Sequence, residues 1–221
     1  MKTKFIKGLF FCLCWMHTYF ADAQTIPIAI VYHQKEIKLI DSVDSNDFQF
    51  SKFKFYLSNV RFYNSDNLVD EESYSYHLID LMDTSKNELL MKRNNNIAFN
   101  QIVFNLGVDS ATNVAGALEG DLDPMNNMYW TWQSGYINLK LEGVFDNRIK
   151  REYHLGGYLQ PFNSLQTIKL EWKNSSTMKI YIHLDDFIRS IPDSIPPQIM
   201  SPGSSSVYLS KLFAKSISSE K

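Results

Sequence analysis

The amino-acid sequence predicts an all-β fold, an antiparallel β-sandwich with short helical connections. Its apolar residues recur mainly at every second position over short stretches, which is the period of a strand with one buried face. Clusters of Gly, Pro, Asn and Asp separate these stretches, and few segments show the period of an amphipathic helix. Short strands separated by turns are typical of sandwich folds. The sequence contains no internal repeat, and we expect one domain.

The same patterns place each element along the chain. Strands are predicted at residues 26–32, 36–40, 48–57, 58–63, 74–81, 97–106, 128–143, 151–155, 165–172 and 178–184. Polar stretches at 64–72 and 83–96 predict loops, and residues 185–189 predict a short helical turn. Prolines from residue 192 onward and a following serine run predict an extended tail, with a docked helix at 207–214 as the alternative.

The first 23 residues have the features of a secretory signal peptide. Three lysines precede an apolar run over 8–20, and an Ala-Asp-Ala sequence that ends at Ala23 provides a cleavage site. Both cysteines, Cys12 and Cys14, lie inside the apolar run and should be removed with it. The mature chain then has no thiolate for a metal site or for nucleophilic catalysis.

Export and charge exclude several classes of function. We expect a β-sandwich domain over 24–190, a Pro/Ser-rich tail over 191–221, and a periplasmic or secreted location. Three of the 22 basic and one of the 24 acidic residues lie in the signal, which leaves a mature chain with a formal net charge of −4. This charge argues against nucleic-acid binding, and the sequence has no apolar run of the about 20 residues that a membrane span needs. The usual nucleotide, zinc-protease and hydrolase motifs are missing, so we do not expect an enzyme.

The stretch at 120–143 differs most from ordinary sequence. Its first half concentrates Asp, Asn and Pro, which form hydrogen-bonded turns, and its second half alternates as a strand. On such a strand Trp130 and Trp132 project to the same face. These rings either belong to the core or form a recognition surface with Tyr136. The second case describes a metal-free interaction module that binds a protein or a glycan.

Short motifs recur along the chain in a defined order. They are Lys-Phe-Tyr-Leu-Ser-Asn-Val at 54–60, Leu-Gly-Val-Asp at 106–109, Leu-Asp-Pro at 122–124, Met-Tyr-Trp-Thr-Trp-Gln-Ser-Gly-Tyr at 128–136, Leu-Glu-Gly at 141–143 and His-Leu-Gly at 154–156. In content and order these motifs resemble the MbnP-like family of exported copper-binding proteins. The similarity extends over roughly residues 25 to 190.

The resemblance implies a copper site and a redox partner. In this family a tryptophan is oxidised to kynurenine by a dihaem oxidase or peroxidase partner, and the kynurenine helps two histidines to hold copper. By position Trp130 is the first candidate for this change and Trp132 the second, while His154 is the first histidine. One related branch has a histidine two residues after the modified tryptophan. This chain has Trp132 there, so one ligand of that site is absent.

The residue types by themselves leave the metal and its ligands open. Without thiolates, a copper site would draw on imidazole and thioether groups, here those of His33, His77, His154 and His183 with Met125 or Met128. A single histidine is more often a surface or hydrogen-bonded core residue than a metal ligand.

A calcium loop is the alternative metal site. Asp121, Asp123, Asn126 and Asn127 offer closely spaced oxygen ligands of the kind that calcium prefers. The pattern lacks the glycine and the terminal glutamate of an EF-hand. A turn that uses these oxygens for its own hydrogen bonds is the other interpretation.

Overall fold

The computed structural model describes residues 24–37, 48–83, 85, 88–91, 97–133, 135–145, 149–173 and 178–221. The predicted signal peptide, with Cys12 and Cys14, lies outside the described residues, as does most of the loop predicted at 83–96. Within the described residues, no helix is long and apolar enough to cross a membrane.

Strands dominate the described residues. They are β1 (Gln24–Tyr32), β2 (Lys35–Ile37), β3 (Phe48–Asn64), β4 (Asn67–Glu71), β5 (Tyr76–Asp80), β6 (Glu88–Met91), β7 (Gln101–Leu106), β8 (Tyr129–Trp130), β9 (Gly135–Phe145), β10 (Ile149–Gly156), β11 (Gln166–Glu171), β12 (Ile180–His183), β13 (Gln198–Ile199) and β14 (Ile217–Ser218). The helices are α1 (Ser110–Ala115), α2 (Leu184–Arg189) and α3 (Ser204–Lys215), and 3₁₀ turns occur at Gly120–Leu122 and Pro124–Asn126.

The strands form two sheets. The smaller has the order β14-β12-β1-β2, with β6 also paired to β1, and the larger has the order β11-β7-β3-β9-β10-β13. In the larger sheet β4 and β5 also pair with β3, and β8 pairs with β9. Most pairs are antiparallel, while β1 with β12 and β10 with β13 are parallel. The predicted all-β sandwich class is confirmed, with these two parallel pairs as an addition.

The central strand β3 explains an irregular spacing in the sequence. Its side chains that face the main core are Phe48, Phe50, Phe53, Phe55, Leu57, Val60 and Phe62. The spacing of two is broken twice, and register shifts occur at the same places, between Phe50 and Lys52 and between Ser58 and Arg61. A β-bulge inserts one residue and so changes which face the following side chains occupy. The uneven spacing of these apolar residues is therefore explained by two bulges.

The apolar side chains form two clusters. The main core takes residues from both sheets and from helices α2 and α3, among them Ile30 of β1, Phe104 of β7 and Phe187 of α2. A second, smaller cluster includes Tyr56 of β3 and Trp130 of β8. Tyr56 alternates with core residues of β3, so it projects to the opposite face of the larger sheet. The second cluster covers that outer face, and the candidate site lies beside it.

Two predicted loops contain strands. Residues 67–71 form β4, an edge strand that pairs with β3, and residues 88–91 form β6, which pairs with β1. The polar sequence of β4 suits an edge strand, whose exposed side chains gain nothing from being apolar. The sequence therefore carried no alternation that could reveal it. The predicted loops are wrong at these positions.

The predicted extended conformation of the C-terminal segment is also wrong for residues 204–215. They form α3, which buries Leu209 and Phe213 in the main core. The Phe213 ring lies 5.5 Å from that of Phe53, 5.2 Å from that of Phe55 and 5.0 Å from that of Phe187, measured between centroids. Aromatic burial of this extent outweighs the weak helix propensity of the serines. The docked helix given as the alternative is confirmed, with wider bounds.

We predict that Phe213→Ala lowers the free energy of unfolding by about 3–5 kcal/mol, the usual effect of removing a buried phenylalanine. Lys211→Ala, an exposed position on the same helix, should change it by less than about 0.5 kcal/mol. Urea unfolding of the three proteins measures both effects. Equal stability of the two variants would show that α3 does not belong to the core.

Candidate metal centre

Two buried tyrosine hydroxyls hold the first half of the stretch at 120–143. The Tyr136 hydroxyl accepts a hydrogen bond from the Leu118 amide at 3.0 Å and donates to the Leu122 carbonyl at 3.1 Å or to that of Gly116 at 3.2 Å. The Tyr56 hydroxyl donates to the Asp121 carbonyl at 2.9 Å. Burial raises the pKa of both hydroxyls, so they remain neutral donors.

The Leu-Gly-Val-Asp motif starts helix α1. Asp109 caps the helix by accepting a hydrogen bond from the Thr112 amide at 3.0 Å, and it accepts another from the Tyr76 hydroxyl at 2.6 Å. Burial alone would raise the pKa of Asp109, but the hydrogen bonds from Tyr76 and Thr112 outweigh burial and lower it. Burial and the bond to Asp109 raise the pKa of Tyr76 to about 12.

Two buried asparagines join this segment to β9. The Asn138 side chain accepts from the Val108 amide at 2.9 Å, and that of Asn113 accepts from the Tyr136 amide at 2.8 Å. Gly107 has a φ of 111°, and a Cβ there would lie 2.5 Å from the Asn138 side chain. A glycine is therefore required at position 107, both for its positive φ and for the close approach of the Asn138 side chain. Much of the motif sequence is thus explained by folding.

The acidic residues of the turn that follows Gly120 also form hydrogen bonds within the fold. Asp121 accepts a hydrogen bond from the Leu78 amide at 2.9 Å, and Asp123 accepts one from the Met125 amide at 2.8 Å. The Asn126 side chain donates to the carbonyls of Gly120 and Asp121 at 3.0 Å each. The predicted calcium site at Asp121 and Asp123 has no support, because these groups form the hydrogen-bonded turn given as the alternative.

The two tryptophans do not share a strand face, contrary to prediction. Strand β8 ends at Trp130, residues 131–133 turn, and β9 runs back so that Trp130 pairs with Gly135. Trp130 is only 6% exposed, whereas Trp132 is 65% exposed. Their ring centroids lie 6.0 Å apart. The hairpin therefore places one indole in the second cluster and leaves the other on the surface.

Trp130 packs directly on the backbone of Gly156. A Cβ at Gly156 would lie 2.6 Å from Cζ3 of Trp130, so the ring occupies the space of a side chain. Alternate residues of a strand project to the same face, and His154 precedes Gly156 by two positions. The motif tryptophan and the motif histidine are thereby brought to the same face of β10.

His154 is held by a carboxylate. Its Nε2 lies 2.8 Å from Oε1 of Glu142 on β9, and the other carboxylate oxygen accepts from Nζ of Lys52 at 2.9 Å. Burial lowers the pKa of His154, although the hydrogen bond to Glu142 opposes the change. Burial would raise the pKa of Glu142, but the hydrogen bonds from Lys52 and His154 lower it. A neutral imidazole fixed against a carboxylate is the result.

The other candidate histidines lie elsewhere. His77 on β5 contacts Glu72 at 2.6 Å, and His183 at the end of β12 contacts Ser218 at 2.9 Å. His33, in the exposed turn after β1, has its Nδ1 3.8 Å from Asp185. No group of three His, Cys, Asp or Glu side chains that could hold a metal ion occurs among the residues that the structure describes. The choice of a second histidine ligand stays a prediction.

Glu142 was not predicted from the sequence as the carboxylate that contacts His154. The residue was visible in the Leu-Glu-Gly motif, and its alternation with Leu139 and Leu141 predicted an outward side chain. The contact between the Glu142 and His154 side chains depends on the register between β9 and β10. In that register Glu142 pairs with Glu152, and Lys140 pairs with His154. Nothing local in the sequence encodes that register.

Comparison with known proteins gives a consistent result. A family model described as MbnP matches residues 21–199. No curated protein sequence matches the chain. Among solved structures, MbnP from Methylosinus trichosporium is similar, with a TM-score of 0.59 and 12% identity over 84% of this chain and 87% of that chain. That likeness concerns the fold, and the family model confirms the resemblance found in the motifs.

We predict that Gly156→Ala lowers the free energy of unfolding by about 1–3 kcal/mol, because the methyl group must displace the Trp130 ring. Gly203→Ala is the matched control, since nothing lies within 4 Å of a Cβ there. Denaturant unfolding compares the two. If Gly156→Ala is no less stable than Gly203→Ala, the close packing of Trp130 on β10 is wrong.

A second prediction concerns acid stability. The folded pKa of Asp109 is below its unfolded value, so its contribution is present above the ordinary pKa of about 3.9 and is lost as pH falls through the folded pKa. Asp109→Asn should therefore be less stable than wild type at neutral pH, and the difference should shrink in acid. Unfolding measured across this range, with Tyr76→Phe as a partial mimic, tests the claim. Parallel pH profiles would contradict it.

Proposed function

Because the chain belongs to the MbnP family, we propose that it is an exported copper-binding protein without catalytic activity of its own. The family relation by itself indicates a copper-related protein. One observation supports a specific place for the metal: His154 is oriented by Glu142 on the face of β10 that Trp130 covers. The proposal therefore centres the site on His154.

His154 has the properties of a ligand. Metal-binding histidines usually donate their second ring N–H to a carboxylate, which fixes the ring and the tautomer. With Nε2 directed at Glu142, Nδ1 remains for a metal. A histidine must also be neutral to coordinate, and the lowered pKa of His154 favours that state at neutral pH.

The unmodified side chains in the described residues supply two imidazoles held by carboxylates, those of His154 and His77, but no complete ligand set. We propose that oxidation of Trp130 to kynurenine supplies the missing donors. The oxidant breaks the C2–C3 bond of the indole and adds two oxygen atoms, and hydrolysis then releases C2 as formate, which leaves an aryl amine and a ketone. Trp132 is the indole that an external oxidant can reach, and it lies against Trp130. A dihaem oxidase or peroxidase partner is the proposed oxidant, and the second histidine comes from His77, His183 or His33.

A metal-free interaction module remains the second candidate, supported by the exposure of Trp132. The surface that the sequence suggested had three aromatic residues. Trp130 and Tyr136 are buried, so Trp132 is the member of that group left for a partner protein or glycan. This smaller surface makes the module the weaker proposal.

We predict that protein purified from its native host carries kynurenine in the peptide containing Trp130 and Trp132, and binds copper through His154. Glu142→Gln should weaken copper binding by about 10- to 100-fold, as loss of an orienting carboxylate usually does, and His154→Gln by at least as much. Mass spectrometry and competition titration with a copper chelator measure these effects. Glu36→Gln, which changes an exposed carboxylate of β2 on the other sheet, serves as the control.

Two results would contradict the proposal. One is equal copper affinity of wild type and His154→Gln, and the other is unmodified tryptophan in protein from the native host.

A further inference from the structure

A cleft of about 320 Å³ lies on the opposite face of β10 from His154. Its walls are the rings of Phe48 and Phe145, which pair across β3 and β9, and the side chains of Ile188 and Ile191 at the end of α2 and after it. These four side chains are largely buried. The cleft is therefore a concavity at the edge of the main core, with apolar side chains in its wall and charged side chains around them.

Arg151 of β10 also lines this cleft. It is only 7% exposed, yet its Nε has no hydrogen-bond partner among the residues that the structure describes. Nη1 donates to the Tyr153 hydroxyl at 2.8 Å, and the guanidinium carbon lies 5.8 Å from the centroid of the Phe145 ring. In the part of the chain that the structure describes, Arg151 forms no ion pair.

An arrangement of this kind is unfavourable without a ligand. A guanidinium has five N–H donors and stays charged, so burial without a carboxylate is costly. Buried arginines are usually paired, and an unsatisfied buried donor calls for an explanation. Because the phenol of Tyr153 supplies one neutral acceptor, most of the donor capacity of Arg151 is left over.

The charges at the mouth of the cleft also favour an anion. Arg189 and Asp193 both line it and both are exposed. Together with Arg151 they leave one net positive charge, and the buried charge is the positive one. Arginine pairs with carboxylates through two parallel hydrogen bonds, which matches the donors left on Arg151.

We propose that this cleft binds a small organic carboxylate, with its carboxylate on Arg151 and an aromatic or branched aliphatic part against the four apolar walls. The volume is near the lower end of ligand sites, about 300–1,000 Å³, so a single-ring acid fits the size. The site is independent of copper, because Arg151 and His154 project to opposite faces of β10.

Calorimetric titration of the mature, copper-free protein at constant ionic strength tests the proposal with three probes. Phenylacetate carries both the charge and the ring, acetate only the charge, and benzyl alcohol only the ring. Phenylacetate should bind at least about tenfold more tightly than either of the others, since each lacks one of the two interactions.

Variants assign the binding to the cleft. Arg151→Met should weaken phenylacetate binding by about tenfold or more, through loss of the charged hydrogen bonds. Arg151→Lys keeps the positive charge but lacks the planar guanidinium that donates two parallel hydrogen bonds. It should also bind phenylacetate more weakly than wild type. Arg61→Met is the matched control. Within the described part of the chain Arg61 also has a buried Nε without a partner, but it lies toward the other end of β3, outside the cleft lining.

The folding of each variant is checked by its thermal unfolding. If Arg151→Met does not fold, Arg151→Lys and the exposed Arg189→Met decide the question, and both should weaken binding. The proposal is overturned if wild type shows no saturable binding of phenylacetate. It is equally overturned if acetate or benzyl alcohol binds as tightly, or if the folded Arg151 variants bind like wild type.

Discussion

The long connection between β7 and β8 sets the main physical constraint on this molecule. It covers the outer face of the larger sheet with little regular structure, so its buried backbone groups need partners that a sheet or a long helix would otherwise provide. Side chains supply them: Tyr56 and Tyr136 bind carbonyls of the turn, while Asn113 and Asn138 bind amides and carbonyls at the start of α1. The candidate site depends on this scaffold, since it holds β8 and Trp130 in place.

This constraint changes how the motif residues are understood. In the sequence, the Leu-Gly-Val-Asp and Leu-Asp-Pro motifs indicated a metal-binding protein. In the structure, the carboxylates of Asp109, Asp121 and Asp123 each accept a hydrogen bond within the fold. The proposed copper site rests on far fewer residues. His154 with Glu142 is oriented for coordination, and the tryptophan hairpin lies beside it.

Strand β10 contributes one residue to each of the two proposed sites. Because successive side chains of a strand project to opposite faces, His154 lies on the outer face, beside the second cluster, and Arg151 lies on the inner face, against Phe145. Both side chains are largely buried, but among the described residues only His154 has a carboxylate partner. The two proposals follow from this difference: His154 is proposed as an oriented neutral ligand, and Arg151 as the charge that binds an anion.

The sequence by itself determined the sandwich class, most of the strands and the helical turn predicted at 185–189, because alternation and turn residues act locally. The two bulges of β3 are also visible in the sequence, as breaks in the spacing of its apolar residues. Only the tertiary structure decided that residues 67–71 form an edge strand, that α3 enters the core, that Trp130 is buried and Trp132 exposed, and that Glu142 meets His154. These outcomes depend on strand register and on the packing of residues distant in sequence, which no local pattern specifies.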